Sequence, residues 1–560
     1  MEFPWLALGA SGAAAIAWGF AALTRRYDVA AILGAGAVLF LHAILYFDYT
    51  SDDAYISYRY ALNFSRGLGL VWNPGEHVEG YSNFLWTVLL AGFDRAGADL
   101  VTSGRWLGFA LGIVVAGGTY ALTRTLLPGE AGRPAGLAAA LLLAAAGSFA
   151  IWASAGLEVT LFSTLILAGV LLHVHEQARP AVPASAVAWA AVAMTRPDGV
   201  LFFGVSGLAK LVEAYARARG EGGRRRLVRE ALSLAAYAGA FAAIFGGYFA
   251  WRYITYDWLL PNTYYAKVGE GLDQYDRGLR YTATFLREYA AWLIVLGPVA
   301  IALAPVRRGA MAYVLALLVA WTVYVILVGG DSLVGFRFFA PLLPAVYAVI
   351  VAALGGLVQA VRLERPPPRG ALWGALGLAF AGFFAVTLHS SAAGFGAGGI
   401  RTERTAVDRR VELGRWLRDN VPGDTTIAVI AAGAVPYESG LPAIDMLGIS
   451  DEHIAHRDVE IGTMAAGHEK YDSEYVLDRE PDIIVLTEVR TASPWARKDY
   501  DSLRGVIIPA VADMVTNERL WWAYEARGVE IAEGAWFNLL VRRGESELLA
   551  KTESATTAGP

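Results

Sequence analysis

Asp52 and Asp53 are adjacent carboxylates in the segment FDYTSDDAYISYRYALNFSRGLGLVWNPGEHVEGYSNFLW, which is rich in hydroxyls, amides and aromatic rings. A positioned carboxylate can take the proton of an attacking hydroxyl. Ser51 suits an N-cap, and the two acids then fill the first helical turn, where they also favour the helix dipole. That capping role alone is common for an acidic pair. Asp52, Tyr55 and Arg59 fall at i, i+3 and i+7, on one helical face, with Asp53, Ser57 and Tyr60 on the adjacent face. Asn73-Pro74-Gly75 is a turn signal, and a second interfacial helix is expected after it. Glu79, Tyr81 and Asn83 suit a sugar site, while Trp72 and Trp86 suit membrane-interface anchors.

Three further segments place ionisable residues in or beside apolar runs, where they are expensive and therefore candidates for function. TRPDG interrupts one run and carries Arg196 and Asp198 around a helix-breaking proline; an internal ion pair between helices is the competing explanation. DWLLPNTYYAKVG holds Asn262, Tyr264 and Lys267, a cation beside rings suited to a phosphate and a sugar, or simply an aromatic interfacial loop. GGDSLVGFRFFAPLLP holds Asp331 and Arg337. A guanidinium grips two phosphate oxygens at once, so Arg337 is the strongest single candidate for an anionic head group, against simple snorkelling. Arg59, Arg196, Lys267 and Arg337 together form a candidate phosphate-binding set, and Tyr55, Glu79, Tyr81, Asn83, Asn262, Tyr264 and Asp331 a substrate-binding set.

Near the C-terminus, Asp445, Asp451, Glu452, His453, His456 and His468 match no tight metal-ligand spacing. Tyr437, Asp445 and Trp536 are the residues there best suited to touching a glycan. A divalent cation at the adjacent acids Asp52 and Asp53 stays open. No Walker A loop and no GxGxxG opening a helix is present, which disfavours ATP-driven pumping.

The elements that must carry these residues follow from composition. The chain has 560 residues, no cysteine, 56% hydrophobic and 17% charged residues, and a net charge of -5. Soluble domains run at about 45–50% apolar and about 25% charged. This balance excludes a disordered chain and a disulfide scaffold, and a chain without basic excess is a poor nucleic-acid partner. About twelve membrane-spanning helices are expected, at 5–22, 28–47, 101–126, 134–153, 157–177, 183–195, 199–215, 231–252, 284–304, 310–328, 338–361 and 370–388. The first reads as a retained helix rather than a cleaved signal peptide, since no basic stretch precedes it. Arg25-Arg26, Arg124, Arg133, the cluster from Lys210 to Arg229, Arg307-Arg308 and Arg362 to Arg369 then all fall on one side, the cytoplasm. The acids and tyrosines face outward.

Composition changes near residue 390. A membrane domain over 1–389, a Gly/Ala/Ser linker over 390–400, an extracytoplasmic α/β domain over 401–545 and a flexible tail over 546–560 are expected. Within the α/β domain RTAVDRRVELGRWLRDN has helical spacing, and TTIAVIAAG, PAIDMLGI, PDIIVLTE and AWFNLLVRR read as strands.

Outward-facing acids and cations in a chain that is mostly membrane suit an amphipathic substrate arriving from the lipid. Glycosyl transfer from a lipid-phosphate-linked sugar fits: a carboxylate takes the acceptor's proton, and the lipid phosphate leaves against cations. The segment around Asp52 and Asp53 resembles the first outer loop of the GT-C glycosyltransferases, and is most similar to the bacterial branch of terminal β-(1→2) arabinofuranosyltransferases. TRPDG, LPNTYYAK, GGDSLVGFRFFAPLLP and VPGDTTIAVIAAGAVPYESGLPAIDMLGISD resemble further segments of that branch. The resemblance implies a polytopic α-helical GT-C membrane domain with outer interfacial helices, in the plasma membrane. It implies an inverting transfer from a polyprenyl-phosphate sugar to an envelope glycan or other acceptor, with no cofactor expected. Asp52 or Asp53 is then the base, Asp52 being favoured for the face it shares with Tyr55 and Arg59. The sugar stays open, arabinofuranose being one candidate. A flippase of lipid-linked sugars would want internal pseudo-symmetry and mid-membrane acids, and no repeat is evident. A non-enzymatic envelope assembly protein would leave the paired acids as caps only.

Overall fold

The computed structural model describes residues 3–178, 183–218, 223–269, 271–361, 369–393, 395–459, 461, 464, 466–505 and 508–545. Among the described residues seven helices are long and apolar enough to cross a membrane, and up to nine spans result if two bent helix pairs each count as one. The bent pairs are Gly132–Ala145 with Gly147–Ser154 (67°) and Leu272–Glu288 with Ala291–Leu303 (87°). The remaining expected spans coincide with the shorter apolar helices Tyr27–Ala43, Ala184–Thr195 and Gly377–His389. Every expected span is thus helical; Tyr27–Ala43 and Ala184–Thr195 fall short of the length for a crossing, whereas Gly377–His389 is part of the 25-residue helix Arg369–Ala393. Ala184–Thr195 is short because Pro197 ends it, and a one-turn 3-10 segment joins it to Val200–Ala218.

Among the described residues, the basic loops carrying Arg124, Lys210 and Arg307 gather at one end of the helical body. Arg307 donates its backbone N–H to Leu126 and a guanidinium N–H to Val174, and Lys210 pairs with Glu176 at 2.7 Å. The opposite end carries the elements that build the site. Helix α1 is Asp52–Ser65, α2 is Gly147–Ser154, α3 is Asn262–Lys267 and α4 is Leu272–Glu288. Helix α5, Phe395–Asn420, continues from the helix Arg369–Ala393. The linker expected at 390–400 is therefore mostly helix: the small residues there carry helical backbone and not an extended spacer.

The C-terminal region adds α6, Ala434–Ser439, and a five-stranded sheet in the order β2-β1-β3-β5-β4. The strands are β1 Ile427–Val429, β2 Ala443–Asp445, β3 Ile483–Val485, β4 Tyr524–Ala532 and β5 Ala535–Arg542. β1, β2 and β3 run parallel and are buried throughout, which is why β1 and β3 read as uninterrupted apolar triplets, while β2 ends on the buried Asp445. β5 pairs antiparallel with β3 and with β4. The polar, alternating β4 is an edge strand, and its sequence gives little strand signal. Leu413 and Leu417 of α5 pack on one face of the sheet in the same apolar cluster as Ile56, Tyr60, Trp72 and Tyr81. The C-terminal region and the first interfacial helix therefore share one core. The expected tail at 546–560, and Arg362 and Arg365, lie outside the described residues.

Candidate active site

A cavity of about 280 Å³ opens where α1, α3, the turn after Thr195 and the loop before residue 340 meet. Four carboxylates (Asp53, Glu158, Asp198, Asp331) and three cations (Arg196, Lys267, Arg337) line it, together with Tyr81, Asn83, Tyr264 and Tyr324. Asp53 sits between two of the cations: its Oδ2 is 3.1 Å from Arg337 Nη1 and 3.7 Å from Lys267 Nζ. Burial alone would raise the Asp53 carboxyl, but Lys267 and Arg337 outweigh it and hold it at about 2. Asp53 is therefore ionised throughout the physiological range.

Arg337 is fixed before any ligand arrives. Its Nε and Nη2 donate to the two oxygens of Asp331, at 2.8 and 3.1 Å. The carbonyl of Gly335, two residues earlier, accepts from Ser148 Oγ at 2.7 Å and Trp152 Nε1 at 2.8 Å, both on α2. Gly335 and Phe336 both have positive φ, 83° and 50°. This sharp turn suits a glycine and strains a phenylalanine, and it aims Arg337 into the cavity. Arg196 is gripped in the same way, by Asp198 (2.8 Å) and by Glu158 (3.0 Å). Glu158 accepts from Asn83 at 2.8 Å, Asn83 accepts from Ser57 Oγ at 3.0 Å, and Tyr324 donates to Asp198 at 3.1 Å. Phe338 lies under both guanidinium groups, 5.0 Å from Arg196 and 5.6 Å from Arg337.

Of the residues expected from sequence, Asp53, Tyr81, Asn83, Arg196, Tyr264, Lys267, Asp331 and Arg337 line the cavity. Five expected residues do not. Asp52 turns away from it and accepts the backbone N–H groups of Gly433 and Ala434. Tyr55 packs against Tyr58 and Tyr437. Arg59, expected at a phosphate, instead donates to the carbonyls of Trp72, Pro436 and Leu441 and to Asn73 Oδ1, so it is spent on joining α1 to the C-terminal region. Glu79 forms a buried ion pair with Arg252 at 2.7 Å. Asn262 donates to the carbonyls of Gly448, Ile449 and Asp451. The carboxylates of Asp52 and Asp53 thus face different partners.

Glu158 was not singled out from sequence, although a lone acid opening the apolar run EVTLFSTLILAGVLL is the signal that finds it. Ser57, Tyr324 and Phe338 carry no comparable signal. In the C-terminal region Asp445 is fully buried and accepts the N–H groups of Leu447 and Ser450, and Tyr437 is committed to Tyr55 and Tyr58. Among the described residues no group of three or more His, Asp or Glu side chains is arranged to hold a metal ion.

A helical membrane body, a cavity of acids and cations at one end, and a sheet-containing region packed over it define the GT-C glycosyltransferase fold. Two solved structures share it. ArnT from Cupriavidus metallidurans, bound to undecaprenyl phosphate, superposes with a TM-score of 0.51 at 15% identity, over 73% of this chain and 84% of that one. The oligosaccharyltransferase of Archaeoglobus fulgidus in the apo form gives 0.51 at 10% identity, over 91% and 74%. Among curated proteins, the terminal beta-(1->2)-arabinofuranosyltransferase of Mycobacterium tuberculosis is 28% identical over 285 residues. That alignment spans 46% of this chain and 41% of that protein, less than half of either. Residues 399–531 match a family model described as a domain of unknown function, DUF8728.

Proposed function

We propose that the protein is an inverting glycosyltransferase that moves a sugar from a polyprenyl-phosphate donor to an envelope glycan or other hydroxyl acceptor. The carrying observation is the carboxylate of Asp53 held between Lys267 and Arg337 in the cavity. In this reading the donor phosphate seats against Lys267 and Arg337, with Arg196 the third cation. The acceptor hydroxyl attacks the anomeric carbon and gives its proton to Asp53. The bond from that carbon to the phosphate oxygen breaks, and its electron pair leaves on the polyprenyl phosphate. The sugar passes through an oxocarbenium-like state, for which the carboxylates of the cavity are favourable neighbours.

Undecaprenyl phosphate bound to ArnT and the arabinofuranose named in the mycobacterial relative support a lipid-phosphate donor and make a pentose the first sugar to try. The donor enters from the membrane, and the cavity faces the outer side, by the basic loops at the other end. The test uses the full chain in lipid nanodiscs with a panel of synthetic polyprenyl-phosphate sugars and oligosaccharide acceptors. Mass spectrometry is expected to find a glycoside of inverted anomeric configuration for one donor. Retained configuration, or no product from any donor, sinks the reading.

A further inference from the structure

Helix α1 carries two differently occupied faces. One, with Asp53 and Ser57, lines the cavity. The other is covered by the C-terminal region. Asp52 Oδ2 accepts from Gly433 N at 3.2 Å and Asp52 Oδ1 from Ala434 N at 3.1 Å, at the turn between β1 and α6. Arg410 of α5 stands 3.6 Å from the same carboxylate, and Glu488, after β3, stands 3.4 Å from Arg410. One turn further along, Tyr55 meets Tyr437, and Arg59 reaches the carbonyls of Pro436 and Leu441.

The approach at Asp52 is close. A Cβ on Gly433 would fall 2.1 Å from the Asp52 carbonyl oxygen and 2.6 Å from its Oδ2. No side chain fits there unless the turn and α1 separate. The Asp52 carbonyl belongs to the peptide that joins Asp52 to Asp53. Anything that shifts it moves the backbone of Asp53, whose carboxylate must meet Lys267 and Arg337 across the cavity.

We propose that Asp52 is a positioning residue, through which the β1–α6 turn of the C-terminal region sets the carboxylate of Asp53 against Lys267 and Arg337. The inference rests on the reading of Asp53 as the base. It gives the C-terminal region a part in the reaction without any contact to substrate.

Three variants of the full chain test it: Gly433→Ala, Asp52→Asn and the double variant. A misplacement of about 1 Å costs about a hundredfold in rate. Each single variant is therefore expected to lose about a hundredfold in kcat with the donor KM no higher, and the double variant to lose no more than either single one. The pH profile separates positioning from a general folding defect. Asp53 faces Lys267, Arg337 and His468, with Asp52 and Glu403 as the neighbouring acids. Moving it off its cations raises its pKa, so the acid limb of kcat/KM climbs in both single variants, whereas a smaller folded fraction lowers the amplitude and leaves the limb in place. Gly433→Ala with wild-type kcat, an unmoved limb, or additive losses in the double variant would overturn the inference. Wild-type turnover by Asp53→Asn would instead overturn the underlying assignment of the base, and this inference with it.

Discussion

At the scale of single residues the cavity is an ionic lattice in which every cation already holds a carboxylate: Arg196 with Glu158 and Asp198, Arg337 with Asp331 and Asp53, Lys267 with Asp53. A phosphate entering this lattice competes with Asp53 for Lys267 and Arg337. Taking those cations raises the proton affinity of Asp53, so in the proposed reaction donor binding itself makes the base stronger. Asp53→Asn keeps the shape of the side chain and removes the proposed base together with the phosphate's competitor, so turnover should fall about a hundred- to ten-thousandfold with donor affinity retained or raised. The measurement is single-turnover transfer beside donor binding to the same nanodiscs, and near wild-type turnover would exclude Asp53. The pH dependence follows with its sign. The Asp53 pKa is about 2 in the free protein, below the ordinary value of about 3.9. Its ion pairs stabilise the fold fully above about pH 4 and lose that contribution as pH falls toward about 2. The acid limb of kcat/KM, which reports the free enzyme, should therefore lie lower than the limb of kcat, which reports the donor complex. Coincident limbs would mean that the phosphate does not displace Asp53 from its cations.

At the scale of elements, the site is aimed by backbone that departs from regular helix. The break between Ala145 and Gly147 starts α2 at a new angle and lets Ser148 and Trp152 reach the Gly335 carbonyl. Trp152→Phe keeps an aromatic ring, though a smaller one, and removes one hydrogen bond, worth about 1 kcal/mol. Because that bond holds the turn carrying Arg337, the donor KM should rise about fivefold while kcat changes less. An unchanged KM would show that Asp331 alone orients Arg337. Much of this arrangement was legible in the sequence, for a physical reason. Arg196, Lys267, Asp331 and Arg337 interrupt or flank apolar runs, and charge there is too costly to be incidental. The i, i+3, i+7 face of Asp52, Tyr55 and Arg59 is a real face of α1, but its target was not legible. Arg59 reaches Pro436 across 377 positions, and no local pattern encodes a partner so distant. The same holds for Glu79 with Arg252 and for Asn262 with the turn after β2. Proline, glycine and paired charges mark where a chain bends; which bends meet is decided by packing.

At the scale of the whole molecule, charge is sorted along the membrane axis. Among the described residues, the basic turns carrying Lys210 and Arg307 meet the ends of neighbouring helices at one end, and the cavity with the sheet-bearing region occupies the other. The preference of Lys and Arg for the cytoplasmic side supports the proposal that the basic end is inside and the cavity outside, where a lipid-linked donor rather than a soluble activated sugar would be the available substrate. The chain has no cysteine, so a single introduced thiol is unique and reports its own side. Glu130 lies at the basic end with its side chain 85% exposed, and Asp478 lies in the C-terminal region with its side chain 67% exposed. In intact cells, Asp478→Cys should react with a membrane-impermeant maleimide, and Glu130→Cys should react only after the membrane is opened. The reverse pattern would invert the molecule, put the cavity in the cytoplasm and remove the reason for a lipid-phosphate donor. Labelling of both thiols in intact cells would mean that the two ends share a side, which the helical body cannot satisfy if it crosses the membrane between them.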